Sequence, residues 1–430
     1  GLVRARGIEP PGWWRRLEIA YDAAAGTLRY VELTDRARAE ETLTRAQTQL
    51  VRSFLTQAVA GSAADQDIAR TLYEMLLPLR LRDSTQAGRD SVLLLDRQAA
   101  AFPWELLEDR WSANTLPPAV AAGMVRQLKT DRFRAVPARA AGLNALVIGN
   151  PSLVPGSGDG PAEFADLPGA RAEAQAVAQT LQAAGYAVTS EIGGDATSCV
   201  IGLHGGAYRV VHLAGHGVID YVAPGGAEAA SGMMVGHGMV LTPADIAQMR
   251  WVPALVFLNC CHLGAERSHG AARYHELAAN LGSQFIEMGV QAVVAAGWAL
   301  DDAAAATFAA AFYQGMLSGQ PFGAAVRQAR LAAYTLHPQV NTWGAYQCYG
   351  DPHFSLSAAS AQPSAAQPAP PYFATGELLA ELDNLLAREA AADLPPVLAR
   401  VPDMVRGAWV ARPEVGQRLA RLGWQPQSHP

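Results

Sequence analysis

At 430 residues, half of them hydrophobic, the chain exceeds what one core usually organises, so about two or three domains are expected. Charged residues make up only 17% and the net charge is -6, which excludes a basic nucleic-acid footprint and a charged tail. No apolar run reaches the ~20 residues that span a bilayer, and no signal peptide is present, so no membrane partner is expected. The chain opens at Gly1 without a methionine, as a piece cut from a longer protein would. Lys129 is the only lysine, which together with abundant alanine reads as genomic bias. Four cysteines without a CxxC pair make no disulfide framework and fit a reducing cytoplasm.

Taken in chain order, Trp13 to Leu33 reads as a hairpin: RRLEIAY and LRYVEL flank the turn-like AAAGT. Helical patterns follow over Thr34–Ala58 and Ala64–Pro78. SVLLLD at Ser91–Asp96 is a short buried strand, and Pro103 opens a short helix in AAAFPWELLEDRW. A second α/β region starts near Ala141. Strands are expected at Leu143–Asn150, Tyr186–Glu191, Tyr208–Leu213, Ala254–Asn259 and Ala292–Gly297. Helices are expected at Leu167–Ala184, Ala196–Leu203, Pro243–Met249, Glu276–Met288, Ala303–Ser318 and Phe322–Leu336. Strands alternating with helices imply an α/β fold with a mainly parallel sheet covered on both faces, and LVIG, VVHLA and LVFLN are continuous apolar runs, as doubly covered strands are. The run SAASAQPSAAQPAPP has linker composition. The division is thus 1–140 as an N-terminal accessory region, 141–357 as the main domain, 358–372 as linker and 373–430 as a small helical segment.

Two segments carry chemistry. RVVHLAGHGVID places His212 and His216 at a strand end, and ALVFLNCCHLG places Cys260 and Cys261 at another. Sites in open α/β sheets form beyond the carboxyl ends of strands, so neighbouring ends bring a histidine beside a cysteine. A free thiol, with a pKa of about 8.5, is mostly protonated at neutral pH, and an imidazole relieves it of its proton and later protonates a leaving amine. Gly217 can turn the chain sharply beside His216, and the N–H groups of Gly217 and Cys261 are natural oxyanion donors.

The residues alone leave other readings open. A cysteine in an apolar strand is commonly a small core residue, and a histidine there a satisfied core group. HxxxH with CCH offers zinc ligands, but four residues along a strand span ~13 Å, too far for one ion unless the chain turns back. No GxSxG elbow and no P-loop is present. No metal and no cofactor is expected.

At these positions the sequence resembles the CHAT family of caspase-like peptidases, which is related to caspases, metacaspases and separase. LPGARAEA is similar to the family's helix ahead of the site, YRVVHLAGHG to its histidine motif and LVFLNCCHLG to its cysteine motif, usually read L-S-A-C-x-T-G. GVQAVVAAGWALDD, AFYQGMLSGQPFGAAVRQAR and NTWGAYQCYGDP resemble the elements that follow, the last one the closing W-x-x-F-x-x-x-G-D-P signature. The series covers roughly Leu143–Phe354, and FPWELLEDRW resembles an upstream bracing element. The resemblance implies a caspase-like fold, His216 as base and Cys261, rather than Cys260, as nucleophile. It gives His212 a supporting role. His262 and Leu263 depart from the usual acidic residue and threonine, and Asn259 from serine, which leaves His262 as a local modulator. Residues 1–140 would be an accessory or a pseudo-caspase region, as in separase.

By the same resemblance the chain is a regulated cysteine endopeptidase acting on a partner protein. Cleavage after a basic residue would need acidic pocket groups, and Asp220, Asp301 and Asp302 are the candidates; the other role for Asp301 is a helix cap. Family members are often latent until a partner or fused sensor activates them, and several serve bacterial defence or cell death with gasdermin-like pore formers as substrates. The Gly-rich stretch Pro224–Gly238 is a candidate activation loop or a plain surface connection. A catalytically silent scaffold and a peptidase that processes only itself are the alternatives.

Overall fold

The computed structural model describes residues 15–33, 38–43, 50–51, 53–54, 57, 66–79, 81–82, 90–109, 116–130, 134, 137–140, 142–153, 164–223, 225, 227–263, 274–298, 300–356, 372, 375–387 and 394–424. The chain forms two compact units; the larger takes in nearly all of the residues up to Ala358, and the smaller contains the C-terminal helices.

The larger unit is built on a 13-stranded sheet among the described residues. Its strands are β1 (Arg15–Asp22), β2 (Thr27–Leu33), β3 (Arg38–Leu43), β4 (Ser91–Leu95) and β5 (Met124–Leu128) from the N-terminal part. After a short parallel pair, β6 (Ala138–Arg139) with β12 (Trp251–Val252), the main sheet takes β7 (Asn144–Gly149), β8 (Ala187–Ile192), β9 (Val210–Val222), β10 (Ala229–Gly236), β11 (Met239–Leu241), β13 (Leu255–Leu263), β14 (Ala292–Ala296) and β15 (Tyr346–Gly350). The order runs β8-β7-β9-β13-β14-β15-β5-β4-β1-β2-β3, with β10 and β11 flanking the far half of β9. Pairings are parallel for β1 with β4, β4 with β5, β5 with β15, β7 with β8 and β9, and β13 with β9 and β14, and antiparallel for β14 with β15 and within the β9-β10-β11 meander. Strands β1 and β2 are neighbours joined around Gly26 as the N-terminal hairpin, and β3 lies beside β2 at the edge. Gly26 has φ +65, a conformation that favours glycine, and Asp22 Oδ1 accepts from the N–H groups of Ala24 and Ala25.

The helices of this unit are α1 (Gln66–Leu76), α2 (Pro118–Ala121), α3 (Pro168–Ala183), α4 (Ala196–Gly205), α5 (Pro243–Ala247), α6 (Tyr274–Met288), α7 (Asp302–Leu317), α8 (Phe322–Leu336) and α9 (Thr342–Ala345). Side-chain parity assigns them to both faces. On β7, Gly149 packs against Ala174 of α3, while Leu146, of opposite parity, meets Gly202 of α4. On β15, Tyr346 stacks on Phe308 of α7, while Tyr349 faces Gly282 of α6. The α/β architecture read from the sequence, a mainly parallel sheet with helices on both faces, is the one observed.

Residue 140 lies inside this unit, and β15 joins β5 so that the N-terminal strands continue the same sheet. A buried ion cluster ties this seam. Arg126 of β5 bonds Glu105 through Nε at 2.8 Å, Tyr349 Oη is 3.2 Å from its Nη1, and Arg330 of α8 lies 3.6 Å from Glu105. Glu105 belongs to the upstream FPWELLEDRW element; within it Trp104–Leu106 is a 3-10 turn in place of the short helix expected after Pro103, and Ala99–Ala101 just before it is a second 3-10 turn.

Three expectations are corrected. Within Thr34–Ala58, expected as one helix, Arg38–Leu43 is the edge strand β3, because the free edge of β2 offers hydrogen-bond partners that outweigh local propensity. Strands β9 and β13 run past the ends expected at Leu213 and Asn259, to Val222 and Leu263. Finally, most of Pro224–Gly238 is not a flexible connection: Ala229–Gly236 is β10, which supplies the backbone partners that the far half of β9 needs.

The smaller unit holds α10 (Thr375–Ala387), α11 (Leu394–Ala399), α12 (Asp403–Val410) and α13 (Pro413–Arg421), packed around Leu378, Leu382, Leu385, Val415 and Leu419. Asp383 receives both ends of the Arg418 guanidinium at 2.6 and 2.9 Å. Of the linker 358–372 only Tyr372 is among the described residues.

Candidate active site

Strands β9 and β13 are parallel neighbours in register from Leu255↔Val210 to Asn259↔Ala214, and pairing then resumes at His262↔His216. Gly215 alone on β9 therefore faces two residues of β13, Cys260 and Cys261. The bulge thus gathers the two cysteines against Gly215, one residue short of His216, which pairs with His262. Gly217 follows, paired with Leu263 on one side and Met233 of β10 on the other. It makes no sharp turn. What it supplies is space: a Cβ there would lie 1.9 Å from the carbonyl oxygen of Cys260, so the bulge and any side chain at 217 exclude each other.

His216 is 2% exposed. Its Nε2 lies 2.7 Å from the carbonyl oxygen of Ala165, which can only accept, so Nε2 carries the proton and Nδ1 holds the lone pair. Phe164 packs on the imidazole with ring centroids 5.3 Å apart and also meets Tyr221 at 5.7 Å. The loop that presents Ala165 is held by Asn150 at the end of β7: its Nδ2 donates to Asp166 at 2.8 Å and its Oδ1 accepts from the N–H of Leu167 at 3.2 Å. Asn150 adopts φ +46, a region asparagine tolerates better than most side chains.

Of the cysteine pair, Cys260 is buried, with its Sγ 3.8 Å from the carbonyl oxygen of Leu213. Burial first, and the nearby Glu173 carboxylate second, push its thiol up to about 12, so it stays neutral and unreactive near pH 7. The side chains of Cys261, His262 and Leu263 lie outside the described residues.

Behind these strands sits a buried polar group. His212 is wholly buried, with Nδ1 3.2 Å from the Tyr313 hydroxyl and Nε2 3.3 Å from Glu173 Oε1, the latter pair off hydrogen-bonding alignment. Glu173 Oε2 accepts from Asn259 Nδ2 at 2.6 Å. Glu173 and Tyr313 also line a cavity of about 410 Å³ between α3 and α7, otherwise walled mainly by alanines. Among the described residues no group of three His, Cys, Asp or Glu is placed to hold a metal ion.

The three acidic candidates separate. Asp301 caps α7, accepting from the N–H of Ala304 at 2.9 Å. Asp302 packs its carboxyl against Gly169 of α3, where even a Cβ would lie 2.3 Å from it. Asp220 lies on β9, four residues past His216, exposed and with φ +50; its N–H donates to Ser231 Oγ at 2.9 Å.

Sequence reasoning missed three contributors. Ala165 acts through its backbone and leaves no signal. Asn150 carries only the weak mark of a polar residue at a strand end. Glu173 was detectable: it falls on the buried stripe of α3 with Ala170, Ala174, Val177 and Leu181, where an acid has no place unless it is paired.

The sequence profile of the CHAT domain matches residues 66–351, well over half of the chain, and the chain belongs to that family. No curated protein matches it in sequence. Solved structures similar to it include the Arg-specific cysteine proteinase gingipain R, at 13% identity over 80% of this chain and 78% of the other, with a TM-score of 0.43. The complex of Porphyromonas gingivalis RgpB pro- and mature domains is similar at 13% identity over 71% and 76%, with a TM-score of 0.39. The Saccharomyces cerevisiae separase–securin complex is similar at 11% identity over 78% of this chain and 30% of the other, with a TM-score of 0.44. Among the described residues no helix is long and apolar enough to cross a membrane.

Proposed function

We propose that the chain is a cysteine endopeptidase in which His216 is the general base and Cys261 the nucleophile. The observation that carries this reading is the offset register of β9 and β13, which sets the cysteine-bearing bulge beside a histidine whose Nε2 is already committed to Ala165. The burial of Cys260 favours its neighbour as the reacting thiol.

In this reading Nδ1 of His216 accepts the thiol proton of Cys261, and the thiolate attacks the scissile carbonyl. Ala165 orients the ring and stabilises the imidazolium that forms. The backbone N–H of Cys261 is the proposed oxyanion donor; Gly217, expected as the second donor at a sharp turn, sits instead in a strand paired on both sides. The imidazolium then protonates the leaving amine, a thioester remains, and His216 activates the water that hydrolyses it.

The proposed substrate is a partner protein cleaved after a basic residue, with Asp220 the acid that selects it, since Asp301 and Asp302 are engaged at helix termini. The setting we propose is a bacterial defence or cell-death pathway, with an activating partner or fused sensor and a gasdermin-like pore former as the substrate class. The test is cleavage of a peptide library and of candidate partner proteins by wild type, Cys261→Ala, Cys260→Ala and His216→Ala. Activity lost in Cys261→Ala and His216→Ala but kept in Cys260→Ala is expected. Activity that survives Cys261→Ala and disappears in Cys260→Ala would overturn the assignment, and cleavage of the chain alone would mark self-processing.

A further inference from the structure

We infer that Glu173 is a positioning residue: from helix α3 it holds β9 and β13 in the offset register that forms the cysteine bulge against Gly215, next to His216. This inference rests on the His216–Cys261 reading above. Glu173 is 5% exposed, yet it belongs to no surface ion pair. One carboxylate oxygen accepts from Asn259 at 2.6 Å, and Asn259 is the last β13 residue in regular register before the bulge. The other faces His212, which lies on β9 four residues before His216. A single side chain thus meets both strands just ahead of the point where their pairing shifts. A fully buried asparagine and a carboxylate are poor choices for packing alone, because apolar residues of similar volume would fill the same space without desolvation.

The helix that carries Glu173 is also tied to the other side of the histidine. The loop entering α3 presents the Ala165 carbonyl to Nε2, and Glu173 lies one and a half turns into the helix that follows. Helix α3 therefore fixes two coordinates at once, the orientation of the imidazole and the register that makes the cysteine bulge. Freed from Glu173, β13 can relax toward even pairing with β9, in which Cys261 takes the place of His262 opposite His216 and the bulge on which Cys261 sits is lost.

The experiment uses the full chain and iodoacetamide as the probe, with the alkylated cysteine located by mass spectrometry across a pH series. Wild type is expected to alkylate Cys261 with an inflection below the ordinary thiol value of ~8.5, and His216→Ala to raise that inflection. Glu173→Ala is expected to raise it as well, lowering alkylation at acidic pH by about tenfold for each unit of the rise. Glu173→Gln, which still accepts from Asn259, is expected to restore most of it. A merely structural role would lower the unfolding midpoint and leave the inflection in place, and that result overturns the inference. Should Glu173→Ala fail to fold, Asn259→Ala removes the same bond from the strand side: a raised inflection supports the proposal and an unchanged one overturns it. A wild-type inflection that His216→Ala leaves unmoved would instead overturn the dyad itself, so the two failures are told apart.

Discussion

The Nε2 of His216 lies 2.7 Å from the carbonyl oxygen of Ala165, and in the proposed dyad this bond assigns Nδ1 to the thiol. Because Ala165 is held through its neighbours by Asn150, the tautomer of the histidine depends on a side chain at the end of β7.

Replacing Asn150 with glycine keeps the backbone freedom that φ +46 asks for and removes the clamp. Peptide hydrolysis should fall about tenfold to hundredfold in kcat with little change in KM, the loss typical of a misplaced reacting group. Steady-state kinetics on a cleaved peptide would show it; a change confined to KM would place Asn150 in substrate binding.

Gly217→Ala puts a methyl group 1.9 Å from the Cys260 carbonyl oxygen, and the obstacle is backbone that has no rotamer to yield. Overpacking of this kind costs about 1–3 kcal/mol. Urea denaturation should register that loss together with the loss of peptide cleavage. Unaltered stability would mean that the bulge moves aside easily.

Burial pushes the thiols of Cys260 and Cys348 up to about 12. An unfolded thiol titrates near ~8.5. Above that pH the unfolded chain has released protons that the folded chain still binds. The stabilisation is therefore complete below ~8.5 and declines as pH rises toward the folded value, by about 1.4 kcal/mol per pH unit for each thiol. Denaturation midpoints should drop between about pH 8 and about pH 10, and the drop should shrink in Cys348→Ala.

Glu105→Ala leaves Arg126 and Arg330 buried without their shared carboxylate. Breaking a buried pair from one side costs about 3–5 kcal/mol. The expected result is a large fall in the thermal midpoint by calorimetry, because the cluster joins β5, β15 and α8 across the seam of the sheet.

The acids separate by assay. Asp301→Ala should cost about 1 kcal/mol of stability, as the loss of a helix cap does, and leave cleavage preference alone. Asp220→Ala should leave stability nearly unchanged and relax a preference for arginine or lysine in a peptide library. A preference shifted by Asp301→Ala instead would return that residue to the substrate pocket.

Much of this protein is written locally. The continuous apolar runs of β7, β9, β13 and β14 announce a doubly covered parallel sheet, since each residue faces a helix layer whichever way it points. The order of motifs marks the family, and the two strand ends named His216 and the cysteine pair. Helix α8 follows its pattern from Phe322 to Leu336 because an amphipathic stripe is a property of the segment itself. The tertiary structure alone decided the rest. Whether Arg38–Leu43 is helix or strand depends on the open edge of β2, and whether Ala229–Gly236 is loop or strand depends on the unpaired half of β9. The bulge that sets Cys260 and Cys261 against Gly215 exists only between two strands. The proton on Nε2 of His216 is fixed by a carbonyl 51 residues away in sequence. Each of these features depends on a backbone group of a separate segment, and a backbone group has no side chain through which the sequence could announce its partner.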